Sequence, residues 1–265
     1  MWGALMWGAI AGSAVLLGAL VAMYFKIPKK IIGWIMAFGT GTLIGAASFE
    51  LLEDAIEDGG LVATAIGFLV GAVVYTVFDL LISSRGGANR KRSYYSRAEE
   101  GDDQDSGKSG QNASSDGKKG KSKGGSGLGI FAGTVMDAIP ESIMIGASLL
   151  TGQGVSAVLV VSIFVSNIPE GLSSTVGMQQ SNYSRSKIWG MWIAVLIVSS
   201  LASMLGYLFL EMLPNEIKAG IGAFAGGGII AMLCSTMAPE AYEEGGPMVG
   251  LIASLGLLAA LILSI

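Results

Sequence analysis

Apolar runs about twenty residues long follow one another along almost the whole chain, parted by connectors of a few residues. A bilayer's hydrocarbon core is roughly 30 Å thick, and a helix needs about 20 apolar residues to cross it. In that solvent every backbone polar group must be satisfied internally, so runs of this length fold as helices. Hydropathy predicts about eight spans, near 3–25, 31–54, 60–83, 128–151, 154–178, 187–211, 217–240 and 247–265. The expected fold class is an all-α integral membrane protein. Composition agrees, with 52% hydrophobic residues, 14% charged residues and 40 glycines among 265 residues. The first residues carry no basic stretch and read as a span, not a cleaved signal peptide.

The basic residues test the span count. Eight spans place Lys26, Lys29, Lys30, ten basic residues between Arg85 and Lys123, Arg185 and Lys187 on one side, and only Lys218 on the other. That 15-to-1 division obeys the positive-inside rule and would be scrambled by one missed central span. Both termini are therefore expected outside. Residues 84–127, rich in Ser, Gly, Lys and Asp, are expected to form a disordered cytoplasmic loop between a 1–83 half with three spans and a 128–265 half with five. The loop reads as a plain linker, with a basic tether to anionic headgroups as the other reading.

One cysteine, Cys234, excludes an internal disulfide framework and any cysteine-cluster zinc site. The absence of histidine excludes imidazole catalysis, imidazole ligation and the usual switch near neutral pH.

Residues 39–60 align without gaps on 225–246. Gly41, Ala55, Glu57, Gly59 and Gly60 meet Gly227, Ala241, Glu243, Gly245 and Gly246, while Asp54 and Asp58 meet Glu240 and Glu244. The two copies fall on spans 2 and 7, which cross in opposite directions. Inverted repeats, spans 1–3 and 6–8 around a central pair 4–5, are expected on this ground, with a binding site near the midplane. Chance likeness between two Gly-rich helices ending in acids is the competing reading.

The central pair carries two matched cassettes, Asp137-Ala138-Ile139-Pro140-Glu141 and Ser166-Asn167-Ile168-Pro169-Glu170. A carboxylate at membrane depth costs roughly 2.5–3.5 kcal/mol to insert and points to function. Asp137 and Glu141 share a helix face, as do Ser166 and Glu170, with Asn167 beside them and Ser173 and Ser174 one turn on. Each proline frees the carbonyl four residues earlier, those of Met136 and Val165, and opens a kink. Carboxylates, an amide and hydroxyls form an oxygen-rich shell suited to a divalent cation. Three ionised acids together repel strongly unless a cation or protons relieve them. No Lys or Arg lies in either span to do so. Protonated helix-packing acids are the alternative reading.

Glu50, Glu53, Asp54, Glu57 and Asp58 cluster toward the outer end of span 2 and read as a cation-gathering vestibule or an ordinary solvated helix end. Glu50, lying deeper, is expected to help gather the ion. Glu240, with Glu243 and Glu244, marks the matching inner end and a possible exit. The methionines read mainly as packing. Gly8, Gly12 and Ala19 suit either a homodimer contact or packing within one chain.

At these residues the chain resembles the ZIP (ZRT/IRT-like) family of divalent-metal transporters, most of all its bacterial zinc-permease branch. Span 5, Ser166-Asn167-Ile168-Pro169-Glu170-Gly171, departs from that family's Gln/His-Asn-x-Pro-Glu-Gly pattern only at its first position. Span 4, Asp137 to Ser142, departs from His-Asn-x-Pro-Glu-Gly at three. Glu50 to Ala55 and Met237 to Ala241 look like the family's His-Leu-x-Pro-Glu-Ala segments. The resemblance covers the chain outside the loop. It implies eight spans, both termini outside, a long loop between spans 3 and 4 and an elevator-like shift of the central helices. Where the family commonly uses His, this chain has Asp, Ser or Glu, which favours Mn²⁺ or Fe²⁺ while still accepting Zn²⁺. It leaves open whether the family's two-metal centre shrinks to one site held by Asp137, Glu141, Asn167 and Glu170.

The expected function is transport of a divalent transition metal (Zn, Mn or Fe, with Cd as a further candidate) into the cytoplasm across the plasma or bacterial inner membrane. The metal ligands proposed are Asp137, Glu141, Asn167, Glu170 and Ser166, with Glu50 and Glu240 along the path. Besides the lipid bilayer and the transported ion, no cofactor, enzymatic chemistry or nucleic-acid partner is expected. A non-transporting metal sensor or adaptor signalling through the loop is the main alternative. Proton-coupled transport of another solute stays open. An intramembrane aspartyl protease fits poorly, because span 5 offers Glu170 and no Asp.

Overall fold

The computed structural model describes residues 1–84, 127–150 and 155–265. Apart from its two end residues, the linker expected over 84–127 lies outside the described residues. Every regular element among the described residues is helical. Helix α1 spans Trp2–Tyr24 and α2 spans Lys29–Ala46, running through a π-helical segment, Ala47–Leu52, into α3, Glu53–Ser84. After the linker come α4 (Gly127–Ser148), α5 (Ala157–Gln180), α6 (Arg185–Glu211) and α7 (Asn215–Met232). A second π-helical segment, Leu233–Met237, leads into α8 (Ala238–Gly245), a single 3₁₀ turn and α9 (Val249–Ser264).

Among the described residues six stretches are long and apolar enough to cross a membrane: Trp2–Tyr24, Lys29–Leu81, Ile130–Ser148, Ala157–Gln180, Arg185–Glu211 and Asn215–Ser264. The second and sixth are 53 and 50 residues long. Unbroken, each would run to about 75–80 Å, well beyond a bilayer. Each is broken by one glycine in a left-handed conformation, Gly60 at φ 74° and Gly246 at φ 72°.

Close helix contacts show that the chain reverses at both glycines. On α2, Gly33 meets Ala241 and Gly245, Gly41 meets Ala253, and Gly45 meets Ala260, so α2 and α9 run parallel. On α3, Gly59 meets Ala219, Gly67 meets Gly220, and Gly71 meets Phe224, so α3 and α7 also run parallel. Since α7 starts beside Gly59 and α8 ends beside Gly33, α3 must return along the direction from which α2 came. Apolar side chains along α3, such as Leu61, Val62, Leu69 and Leu80, are left more than half exposed. An outward apolar face of this kind suits lipid and is rare on a soluble monomer.

Helix α5 is the centre. It packs against α1, α2 and α4. At its middle Gly171 lies on the Val15 carbonyl and Ser166 on Gly39. Trp192 of α6 is fully buried and donates to Thr175 Oγ1 of α5 at 2.8 Å. Gly8 and Gly12 of α1 press on Ser199 and Ser203 of α6, and Ser203 donates to the Ala4 carbonyl at 2.8 Å. Ala19 is fully buried as well. The small-residue surface of α1 is thus occupied within the chain, which decides between the two readings of those residues.

Candidate functional site

Both cassettes sit inside intact helices. Pro140 lies within α4 and Pro169 within α5. The α5 cassette faces inward: Ser166, Asn167, Pro169 and Glu170 are all buried. From α4, Glu141 is 2% exposed, against 4% for Asn167 and 8% for Glu170. Asp137 is half-buried one turn earlier. The charged neighbours of Glu141 are Glu170 and Asp137, and the Asn167 amide donates a hydrogen bond to its carboxylate. Around Glu141 the structure therefore sets Asn167 and Glu170 from α5, with Asp137 one turn earlier on α4.

The polar atoms here are incompletely paired. Glu141 Oε2 and the hydroxyls of Ser173 and Ser174 are buried with no hydrogen-bond partner. Ser166, by contrast, donates to the Ile163 carbonyl at 2.9 Å, leaving its lone pairs for a ligand. Among the described residues no group of three or more His, Cys, Asp or Glu side chains is arranged to hold a metal ion. A shell at this place has to include the amide and hydroxyl oxygens beside the carboxylates. The donor chemistry, oxygens only with an orphaned carboxylate oxygen among them, fits a hard or borderline divalent cation.

Glu50 and Glu240 are not among the charged neighbours of Glu141. Glu50, in the first π-helical segment, lines a cavity of about 590 Å³ whose wall also carries Glu53, Asp54, Glu57 and Asp58. Lys218 and Asn215 at the start of α7 line it too, as do Ser148 and Ser156 at the facing ends of α4 and α5. The cavity reaches Leu51, Met144, Val158 and Leu159, all of which belong to the buried apolar core. Met144 is one helical turn from Glu141, so an apolar layer separates the acidic cavity from the carboxylate cluster. At the other end Glu240 is buried in α8, beside the start of α2, where Trp34 Nε1 donates to the Gly245 carbonyl at 3.1 Å. Its aligned counterpart, Asp54, is exposed to the cavity.

The π-helical segments have no hydropathy signature and are not expected from the sequence, although each falls within the two aligned segments. Ser173 and Ser174 are visible to the i, i+4 periodicity. Their lack of partners is not, because only the packed helices show where a hydroxyl's proton goes. Compared with family models and with curated proteins, the chain matches none.

Proposed function

We propose that this protein is a membrane transporter of the ZIP type that carries a divalent transition-metal cation into the cytoplasm. The carrying observation is the buried set Glu141, Asn167 and Glu170, held by two proline-containing helices that supply no basic residue to neutralise it. Such a set is costly at membrane depth unless a cation occupies it for part of the time.

The chain crosses the bilayer eight times in this reading, with α2–α3 and α7–α9 as opposed hairpins of two inverted repeats. Three features support that count: the reversals at Gly60 and Gly246, the parallel pairs α2 with α9 and α3 with α7, and the π-helical segments at aligned positions. The excess of Lys and Arg at the opposite end supports an outside-facing acidic cavity.

An ion is gathered by the carboxylates of the cavity wall, including Glu50. It then passes the Leu51–Met144–Leu159 layer when α4 and α5 shift against the outer helices. The central oxygens replace part of its water shell, and release follows toward Glu240 and Glu243. No covalent step is needed.

Uptake into proteoliposomes, comparing Zn²⁺, Mn²⁺, Fe²⁺ and Cd²⁺, tests this against an Asp137→Ala/Glu141→Ala/Glu170→Ala variant. Flux in the parent that disappears in the folded variant is the expected result. Absence of flux for every ion, with tight binding retained, would overturn transport in favour of sensing.

A further inference from the structure

A serine within a helix ordinarily gives its proton to a carbonyl three or four residues back. Ser166 does so to Ile163 at 2.9 Å, Ser200 to Leu196 at 2.8 Å and Ser254 to Gly250 at 2.9 Å. Ser173 and Ser174 do not. They are 8% and 0% exposed, and neither hydroxyl has a hydrogen-bond partner. Both follow Glu170 by one helical turn; Ser174 shares the face of Asn167, which reaches Glu141, and Ser173 shares that of Ser166, while Glu141 Oε2 is likewise buried and unpartnered.

Three buried oxygens left open around one pair of helices are costly together unless something uses them.

We propose that Ser173 and Ser174 are cation ligands that raise the affinity of the central site for Mn²⁺ relative to Zn²⁺. The inference rests on the transport reading above and concerns which ion the site accepts. For any one donor set Zn²⁺ binds more tightly than Mn²⁺, so discrimination has to come from donor type and number. Zn²⁺ is satisfied by about four ligands and gains most from nitrogen and sulfur, whereas Mn²⁺ favours about six oxygens. Glu141, Asn167, Glu170, Ser166, Ser173 and Ser174, all buried, are six oxygen-bearing side chains without a nitrogen or sulfur ligand among them. The two hydroxyls add coordination without adding negative charge. Their removal therefore penalises the six-coordinate ion and leaves a sufficient set for the four-coordinate one.

The test uses the full chain in detergent, titrated with Mn²⁺ followed by electron paramagnetic resonance and with Zn²⁺ by competition. The parent is compared with Ser173→Ala/Ser174→Ala and with Glu141→Gln/Glu170→Gln. The serine variant is expected to lose about tenfold in Mn²⁺ affinity and about twofold or less in Zn²⁺ affinity. In chelator it should melt at or above the parent temperature, because two unpaired buried hydroxyls are gone. Equal losses for both ions, or no loss for either, would overturn the assignment of the serines. If the glutamine variant bound both ions like the parent, the central site itself would be overturned, a separate result from failure of the serines alone.

Discussion

Gly60 and Gly246 occupy aligned positions in the two similar segments and adopt nearly the same backbone conformation, φ 74°, ψ 164° and φ 72°, ψ −158°. That region is accessible almost only to glycine. A Cβ at either position would meet open space, so the conformation and not crowding demands the residue. Gly60→Ala and Gly246→Ala are each expected to destabilise by about 1–3 kcal/mol. Gly190→Ala, in the exposed middle of a regular helix, is expected to be neutral or stabilising. Thermal midpoints in detergent check this, and equal midpoints for all three variants would contradict it.

The two reversals also fix which ends of the helices share a side. In a Cys234→Ser background, cysteines introduced as Lys29→Cys and Asn215→Cys are expected on opposite faces of the membrane. A membrane-impermeant thiol reagent added to intact cells should label the second and spare the first. Labelling of both from outside would refute eight crossings.

Asn167 holds the Glu141 carboxylate by a hydrogen bond in a buried setting. Asn167→Ala removes that donor and one prospective ligand, a loss of about 1–3 kcal/mol or five- to 150-fold in metal affinity. Calorimetric titration of the purified variant measures it. An unchanged affinity would remove Asn167 from the site.

Pro140 and Pro169 lie inside their helices, and each leaves the carbonyl four residues earlier without its helical donor. Neither carries charge. Replacement of either by Ala should slow uptake while metal binding stays close to the parent value. Normal uptake by both variants would show that the prolines have no part in the cycle.

In the proposed cycle the acids on the cavity wall act at a distance, through their summed field. Neutralising Glu53, Asp54, Glu57 and Asp58 together is expected to raise KM several-fold at low ionic strength with kcat unchanged. The difference should fade toward 1 M salt, where the screening length is about 3 Å. A change in kcat that persists in high salt would point instead to a role in the moving step.

Much of the local organisation was readable in the linear chain. Run length and hydropathy are enough to expect helices long and apolar enough to cross a membrane, because lipid leaves the backbone no other partner than itself. Spacing of four residues is enough to put Asp137 beside Glu141 and Ser166 beside Glu170 on their own helices. The paired glycines Gly59-Gly60 and Gly245-Gly246 stand at the ends of the two aligned segments, between apolar runs. Gly8 and Gly12, on the other hand, look the same in sequence whether they meet a second copy or α6, and only the assembled helices decide for α6.

The sequence by itself determined that this is an apolar, helical chain with carboxylates embedded in two of its helices, since hydropathy and helical periodicity are local properties. Tertiary structure alone decided which of those carboxylates meet. Glu141 and Glu170 converge because close contacts at Gly39 and Gly171 seat α5 in the middle of the bundle and Asn167 reaches across to α4. Glu50 remains on an open cavity, while Glu240 is buried against α2. Two aligned segments thus ended in different surroundings, because burial depends on the neighbours that packing supplies and no single segment encodes them.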